Sequence, residues 1–400
     1  MKHSRLFSKT LIILPFALPI DWSADYEHQT ALALAKNGAT VIAYLANEGK
    51  TVFRWILSPS ACIEKAGGIY IYRPLHILPF HRFRAIRNLN HWMATIWLTY
   101  TISHHANWSH LKIIFWTFSL QRAIFPEWFN KTVFHIYDCV DLFMSGNQKD
   151  APQWVTEEQR ILRASDAVFT NSSVLYKQKK HSHPNVFLLP EGMFIPALFP
   201  PPVQNPPEPS VLKHIPHPRV VFIGNINARL DFHTIRHAAV SLPRYSFIFV
   251  GNEDSKFAGP DGISLTRKLR KLRVYKNIFL LPAVPKKVIA SYIVACSVGF
   301  IPYDVTQSFN RFCYPMKVQE YFSQGKPIVS SAIEALKPLA PLVYSYATPG
   351  DAVSLLRQAI SKPWPRQYKL RQRQIAMSNS VDNKLREVET ILLKYFASDF

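Results

Sequence analysis

The 400-residue chain is poor in cysteine, in acidic residues and in long apolar runs. Its four cysteines, Cys62, Cys139, Cys296 and Cys313, stand far apart and follow no metal-ligand or disulfide spacing. They read as ordinary buried thiols of a reducing compartment, which excludes a disulfide-stapled secreted scaffold. No run of about 18 apolar residues occurs, so a transmembrane helix is not expected. Only 26 Asp and Glu oppose 47 Lys and Arg, and the formal net charge of +21 points to an anionic partner. Zinc spacings, the aromatic signature of RNA-binding sheets and a basic tail are all missing. Nucleic acid is therefore set aside in favour of an anionic membrane surface or a diphosphate-bearing small molecule.

What is present is globular: 48% hydrophobic and 18% charged, in a chain long enough for two domains. Lys2, Arg5 and Lys9 ahead of the apolar run Leu11–Ile20 imitate a signal peptide. Pro15 and Pro19 interrupt that run, and Asp21-Trp22 stands where a small-residue cleavage site would be needed. The run is read as a first strand, leading to a helix over 28–37 and a second strand over 39–44. Strand–helix–strand opens a doubly wound α/β domain. Apolar strands are expected again near 112–118, 132–137, 186–189, 219–224, 245–251, 277–282 and 298–302. Between two such series runs the stiff, proline-rich segment Phe199–Pro209.

The expected organisation is a first doubly wound domain over 1–199, a linker over 200–217, a second over 218–375, and a C-terminal helix over 376–400 that can pack back on the first. Between Pro79 and Phe129, arginines alternate with Trp92, Trp97, Trp108, Trp116 and Trp128. That mixture fits a membrane interface, with tryptophan at head-group level, or a buried aromatic helix with a solvated basic face.

The stretch from Asn310 to Ser331 organises the chain. It predicts a loop, a helix with Pro315 near its first turn, a stop at Gly325 and a buried strand from Pro327. The N–H groups of Met316 and Lys317, with the lysine charge, would form an anion site. Glu320, about one turn on, could accept the paired hydroxyls of a ribose. In the first half, Asp138 and Asp141 follow a strand, and Asp21 and His28 lie near the end of the first strand. Ligands of open α/β sheets sit beyond such strand ends.

Taken in order, these segments carry a resemblance. The pattern around Pro315, Lys317, Glu320-Tyr321 and Gly325-Lys-Pro-Ile-Val329 resembles the nucleotide-binding segment of GT-B fold glycosyltransferases. Tyr137-Asp-x-x-Asp141, Ala164-x-Asp166, Pro190-x-Gly192, Phe222-Ile-Gly224-Asn225, Phe249-Val-Gly251 and Ile301-Pro-Tyr303 extend it over most of the chain. The chain is similar to bacterial cell-envelope and exopolysaccharide enzymes, among them the xanthan-type glucuronosyltransferase and teichuronic-acid-type glycosyltransferases. The resemblance implies an α/β fold of two doubly wound, Rossmann-like domains facing across a cleft. It implies transfer of a sugar from a nucleoside-diphosphate sugar to a glycan or lipid-linked acceptor. No Asp-x-Asp motif marks the donor side, so neither cofactor nor metal is expected, and the tryptophan–arginine mixture suggests peripheral attachment to the inner face of the cell membrane. Asp141 would be the general base. Gly224, Asn225, Arg229, Tyr303, Met316, Lys317 and Glu320 would bind the donor, and Asp21, His28 and Asp138 would line the acceptor side.

Chemistry agrees with those residue types. A sugar hydroxyl is a weak nucleophile, so an inverting transfer needs a base within hydrogen-bond reach. The departing diphosphate needs positive charge and oriented N–H groups, which Lys317 and Arg229 can supply. Retaining families tend to carry a second glutamate where this chain has Cys313, which favours inversion and leaves a retaining transferase as the alternative. A nucleotide-sugar 2-epimerase is the other alternative, and the basic, Trp-rich first half argues against it.

Overall fold

A computed structural model describes residues 6–16, 26–45, 63–73, 84–105, 107–118, 120, 133–140, 151–190, 192, 196, 199, 207–254 and 264–399. They fall into two compact units, the first drawn from Met1–Val140, Lys149–Gly192 and Val381–Phe400, the second from Met193–Ser380.

The first unit is built on eight strands: β1 Thr10–Pro15, β2 Thr40–Tyr44, β3 Ile63–Ala66, β4 Ile69–Tyr72, β5 Lys112–Thr117, β6 Val133–Cys139, β7 Ala167–Thr170 and β8 Val186–Leu188. Their order is β3-β4-β2-β1-β5-β6-β7-β8, parallel throughout except for the β3–β4 hairpin. The described part of the apolar N-terminal run thus forms the strand β1, held between β2 and β5. A parallel strand covered on both faces needs no polar alternation, which is why Leu11-Ile-Ile-Leu14 is continuous and fully buried.

The helix Arg84–His104 shows how the tryptophan-rich region is used. Its inner side sets Leu98 and Ile102 among Leu11, Ile13, Ile42, Tyr72 and Phe115, and the Tyr72 hydroxyl donates to the Ala94 carbonyl at 2.8 Å. Trp108 and Trp116 belong to the core, whereas Leu89, Trp92, Ile96 and Tyr100 form an exposed apolar row. The outer side is therefore not simply a solvated polar face.

The helix Val381–Tyr395 belongs to this unit as well. Lys384 reaches from it to Asp138 at the end of β6, Nζ to Oδ2 2.7 Å, with both side chains almost fully buried. Trp116 Nε1 donates to the same carboxylate oxygen at 3.2 Å. A second buried pair, Lys179 to Glu158 at 2.6 Å, ties the helix Ser173–Lys180 to the helix Ala151–Ala164. The Tyr137 hydroxyl donates to that glutamate at 3.0 Å. Removing one partner of such a pair strands a charge in low dielectric, so each is costly to break.

The second unit has six parallel strands, β9 Arg219–Ile223, β10 Ser246–Val250, β11 Ile278–Leu281, β12 Val298–Ile301, β13 Ile328–Ser331 and β14 Val343–Tyr346, in the order β11-β10-β9-β12-β13-β14. Growth runs from β9 through β10 and β11 on one side, then resumes with β12 on the other. The crevice between the ends of β9 and β12 is thus the topological switch point. At the opposite end of β9, the buried Arg219 side chain donates to the carbonyls of Leu212 and Ile215, each at 2.6 Å, and pairs with Glu208. This fastens residues 207–217 to the sheet.

Candidate functional site

Several loops of the second unit meet at that switch point. β9 ends at Ile223, and Gly224 turns the chain with φ +135°, a conformation that L side chains rarely adopt. Its N–H donates to Val250 O at 2.9 Å. Beside it, a Cβ on Gly251 would lie 2.0 Å from the Gly224 carbonyl oxygen, so the two turns touch only because residue 251 lacks a side chain.

The loop after β9 is braced against the loop after β12. Leu230 and Tyr303 form an antiparallel bridge, and the Asp304 N–H donates to Arg229 O at 2.8 Å. The Arg229 guanidinium lies 4.5 Å from the centre of the Tyr303 ring and 4.6 Å from that of Phe309, while its Nε donates to Asn310 Oδ1 at 2.8 Å. Asn310 is fully buried, and its Nδ2 returns bonds to the carbonyls of Arg229 and Asp304 at 3.1 and 2.9 Å. Stacked arginines keep their charge while losing motion, so this cation is fixed in place.

The helix that follows Pro315 is shorter than its sequence implies. It runs Lys317–Ser323, preceded by a separate turn, Ser308–Phe312. Pro315 lies before the helix and accepts from Val318 N at 3.0 Å, while Met316, half-buried, accepts from Gln319 N at 3.1 Å. Gly325 closes the helix as expected, with bonds from Gly325 N to Phe322 O and from Lys326 N to Tyr321 O. Tyr321 sets its orientation: the hydroxyl donates to Val221 O at 3.1 Å and accepts from Ile223 N at 3.2 Å. Val318, Tyr321 and Phe322 face the core, which turns Lys317 and Glu320, three apart, to one side.

Lys317 extends over the Gly224 turn. A Cβ on Gly224 would lie 2.5 Å from Lys317 Cε and 2.6 Å from Nζ, so glycine leaves room for the ammonium. Nζ donates to the Tyr303 hydroxyl at 3.0 Å and lies 5.1 Å from the Phe222 ring centre. Glu320 is buried, with Oε1 4.0 Å from Lys286 Nζ. Burial pushes its carboxyl above the usual range, and the charges of Lys286 and Lys317 oppose that rise. A fixed guanidinium, an ammonium over a glycine turn and a buried carboxylate form a site with two anion-seeking groups and one hydroxyl-seeking group.

Of the residues singled out from sequence, Gly224, Asn225, Arg229, Tyr303, Met316, Lys317 and Glu320 thus all lie on the segments that meet at this switch point, Asn225 directly after the Gly224 turn. Three residues that sequence reasoning missed complete it: Lys286, Phe309 and Asn310. In the first unit, Asp138 is taken up by Lys384 and Trp116. His28 sits on the helix Tyr26–Lys36 with its ring 6.4 Å from that of Phe16, and its buried Nδ1 has no hydrogen-bond partner. Asp21 and Asp141 lie outside the described residues.

No protein-family model matches the chain. Over 269 residues it is 28% identical to the Bacillus subtilis (strain 168) protein named as teichuronic acid biosynthesis glycosyltransferase TuaH, a match covering 63% of this chain and 65% of that one. The match therefore spans less than two thirds of the relative's length. Among solved structures, sucrose-phosphate synthase from Thermosynechococcus elongatus aligns with a TM-score of 0.70 at 13% identity, over 97% of this chain and 100% of that one. Anabaena Alr3699/HepE in complex with UDP-glucose aligns with a TM-score of 0.63 at 11% identity, over 95% and 99%. The fold is the GT-B one, with two Rossmann-like units.

Proposed function

We propose that the chain is a glycosyltransferase that moves a sugar from a nucleoside-diphosphate sugar to a glycan acceptor, lipid-linked, in cell-surface polysaccharide synthesis. The observation that carries the reading is the Lys317 ammonium over the Gly224 turn, 3.0 Å from the Tyr303 hydroxyl, at the switch point of a parallel sheet. Ligand phosphates bind at that position in open α/β sheets. The teichuronic acid name of the Bacillus subtilis relative and the UDP-glucose of the Anabaena structure support the same substrate class.

In this reading Lys317 and Arg229 stabilise the diphosphate as its bond to the sugar C1 breaks, and Glu320 holds the ribose. The acceptor oxygen attacks C1 from the opposite face, and Asp141 takes its proton, so the anomeric configuration inverts. The exposed row Leu89, Trp92, Ile96 and Tyr100, with Arg84 and Arg87 in the first turn of the same helix, supports attachment to an anionic inner-leaflet surface. No helix among the described residues is long and apolar enough to cross a membrane.

The test is to incubate the protein with α-linked sugar nucleotides and a lipid-linked glycan, and to read the product linkage by NMR. A β-linked product, lost in Asp141→Asn, is expected. Retention would overturn inversion, and an isomerised nucleotide sugar formed without acceptor would overturn transfer itself.

A further inference from the structure

After β11 the chain passes Pro282–Pro285 and makes the short turn Lys286–Val288. Two lysines open that turn and behave differently: Lys287 is exposed, whereas the Lys286 side chain is only 13% exposed. Its Nζ is buried and makes no hydrogen bond. An ammonium carries three donors, and a buried donor is nearly always paired in the state for which its site is built. The contact that Lys286 does have is Glu320 Oε1 at 4.0 Å. That is too long for a charge-assisted hydrogen bond, which closes to about 2.7–2.9 Å. It is a fitting separation for one intervening oxygen, within about 2.8 Å of both atoms, accepting from the ammonium and donating to the carboxylate.

Resting on the reading of this site as one for a nucleoside-diphosphate sugar, we infer that Lys286 and Glu320 together grip a ribose hydroxyl of the donor. Glu320 accepts a hydrogen bond from the hydroxyl, and Lys286 donates one to the oxygen of the same group. The consequence is selectivity for ribonucleotides. A site built to hydrogen-bond a hydroxyl strongly rejects the analogue lacking it, because its own polar groups are left unpaired. A lysine that only neutralised Glu320 would affect stability and leave that selectivity untouched.

The experiment is calorimetric titration of UDP, ADP and GDP, each in ribo and 2′,3′-dideoxy form, into the wild type, Lys286→Met and Lys287→Met. The wild type and Lys287→Met are expected to bind one ribonucleotide at least about tenfold more tightly than its dideoxy form, a difference that collapses to about twofold in Lys286→Met. Because the single variant leaves Glu320 buried without its cation, the double variant Lys286→Met/Glu320→Gln provides a neutral pair that is expected to fold and to bind both forms equally. A wild type that binds none of the diphosphates overturns the donor-site reading itself. A wild type that binds them without preferring ribose, or a Lys286→Met variant that keeps the full preference, overturns the grip and leaves the donor site standing.

Discussion

Tyr321 occupies the space that a side chain at residue 299 would need: a Cβ on Gly299 would lie 2.7 Å from the Tyr321 ring. Through this contact and its two bonds to β9, one tyrosine fixes the helix that bears Lys317 and Glu320. Tyr321→Phe removes the hydroxyl's buried bonds to Ile223 N–H and Val221 C=O, an expected loss of about 1–3 kcal/mol. Urea unfolding reads this directly, and an unchanged midpoint would contradict it. Gly299→Ala overpacks the same place by about 1–3 kcal/mol and is expected to weaken nucleotide binding through displacement of the helix.

Glu320 gives a pH signature. Burial raises its folded pKa above the unfolded value, against the pull of Lys286 and Lys317. The folded state therefore holds this proton more tightly, so stability contributed by the protonated form is present at low pH and declines as pH rises through the raised value. The proposed ribose contact needs the ionised form and is expected to move the other way, failing on acidification before an ordinary glutamate would protonate. Diphosphate affinity measured against pH in the wild type and in Glu320→Gln isolates this effect, since the ligand's own titration is common to both. Parallel curves would contradict it.

The Asp138–Lys384 pair is expected to behave as a buried charge pair. Lys384→Met strands the carboxylate and is expected to cost about 3–5 kcal/mol, whereas Asp138→Asn/Lys384→Met recovers much of that loss. Chemical unfolding of the single and double variants decides it, and strictly additive losses would contradict the assignment.

Much of this architecture is legible in the sequence, because parallel strands buried on both faces appear as uninterrupted apolar runs, as at Leu11–Leu14 and Val220–Ile223. The segments of the proposed donor site are legible for the same local reason: a glycine turn after a strand, and a lysine and a carboxylate three apart on a helix. What stayed hidden depends on partners distant in sequence. Lys286 looks like any surface lysine until Glu320 is brought beside it, and Lys384 acquires meaning only when its helix meets β6. β3 went unread because it is a mostly exposed edge strand containing Glu64 and Lys65. The helix Arg366–Ser378 shows no apolar stripe because its buried residues are Gln372 and Ala376. Gln372 satisfies its amide on the Lys326 and Leu342 carbonyls, a polar anchor that no periodicity reveals.

The Lys317 ammonium, held between the Gly224 turn and the Tyr303 hydroxyl, is the heart of the proposed diphosphate site. The direct measurement is calorimetry of the tightest-binding nucleoside diphosphate on the wild type, Lys317→Ala and Tyr303→Phe, with the corresponding uncharged nucleoside as control. A charge-assisted bond of about 1.5–3 kcal/mol predicts a loss of roughly ten- to a hundredfold for Lys317→Ala. Tyr303→Phe is expected to lose less, and the nucleoside is expected to bind all three proteins alike. Equal diphosphate affinity in the wild type and in a folded Lys317→Ala would contradict the account.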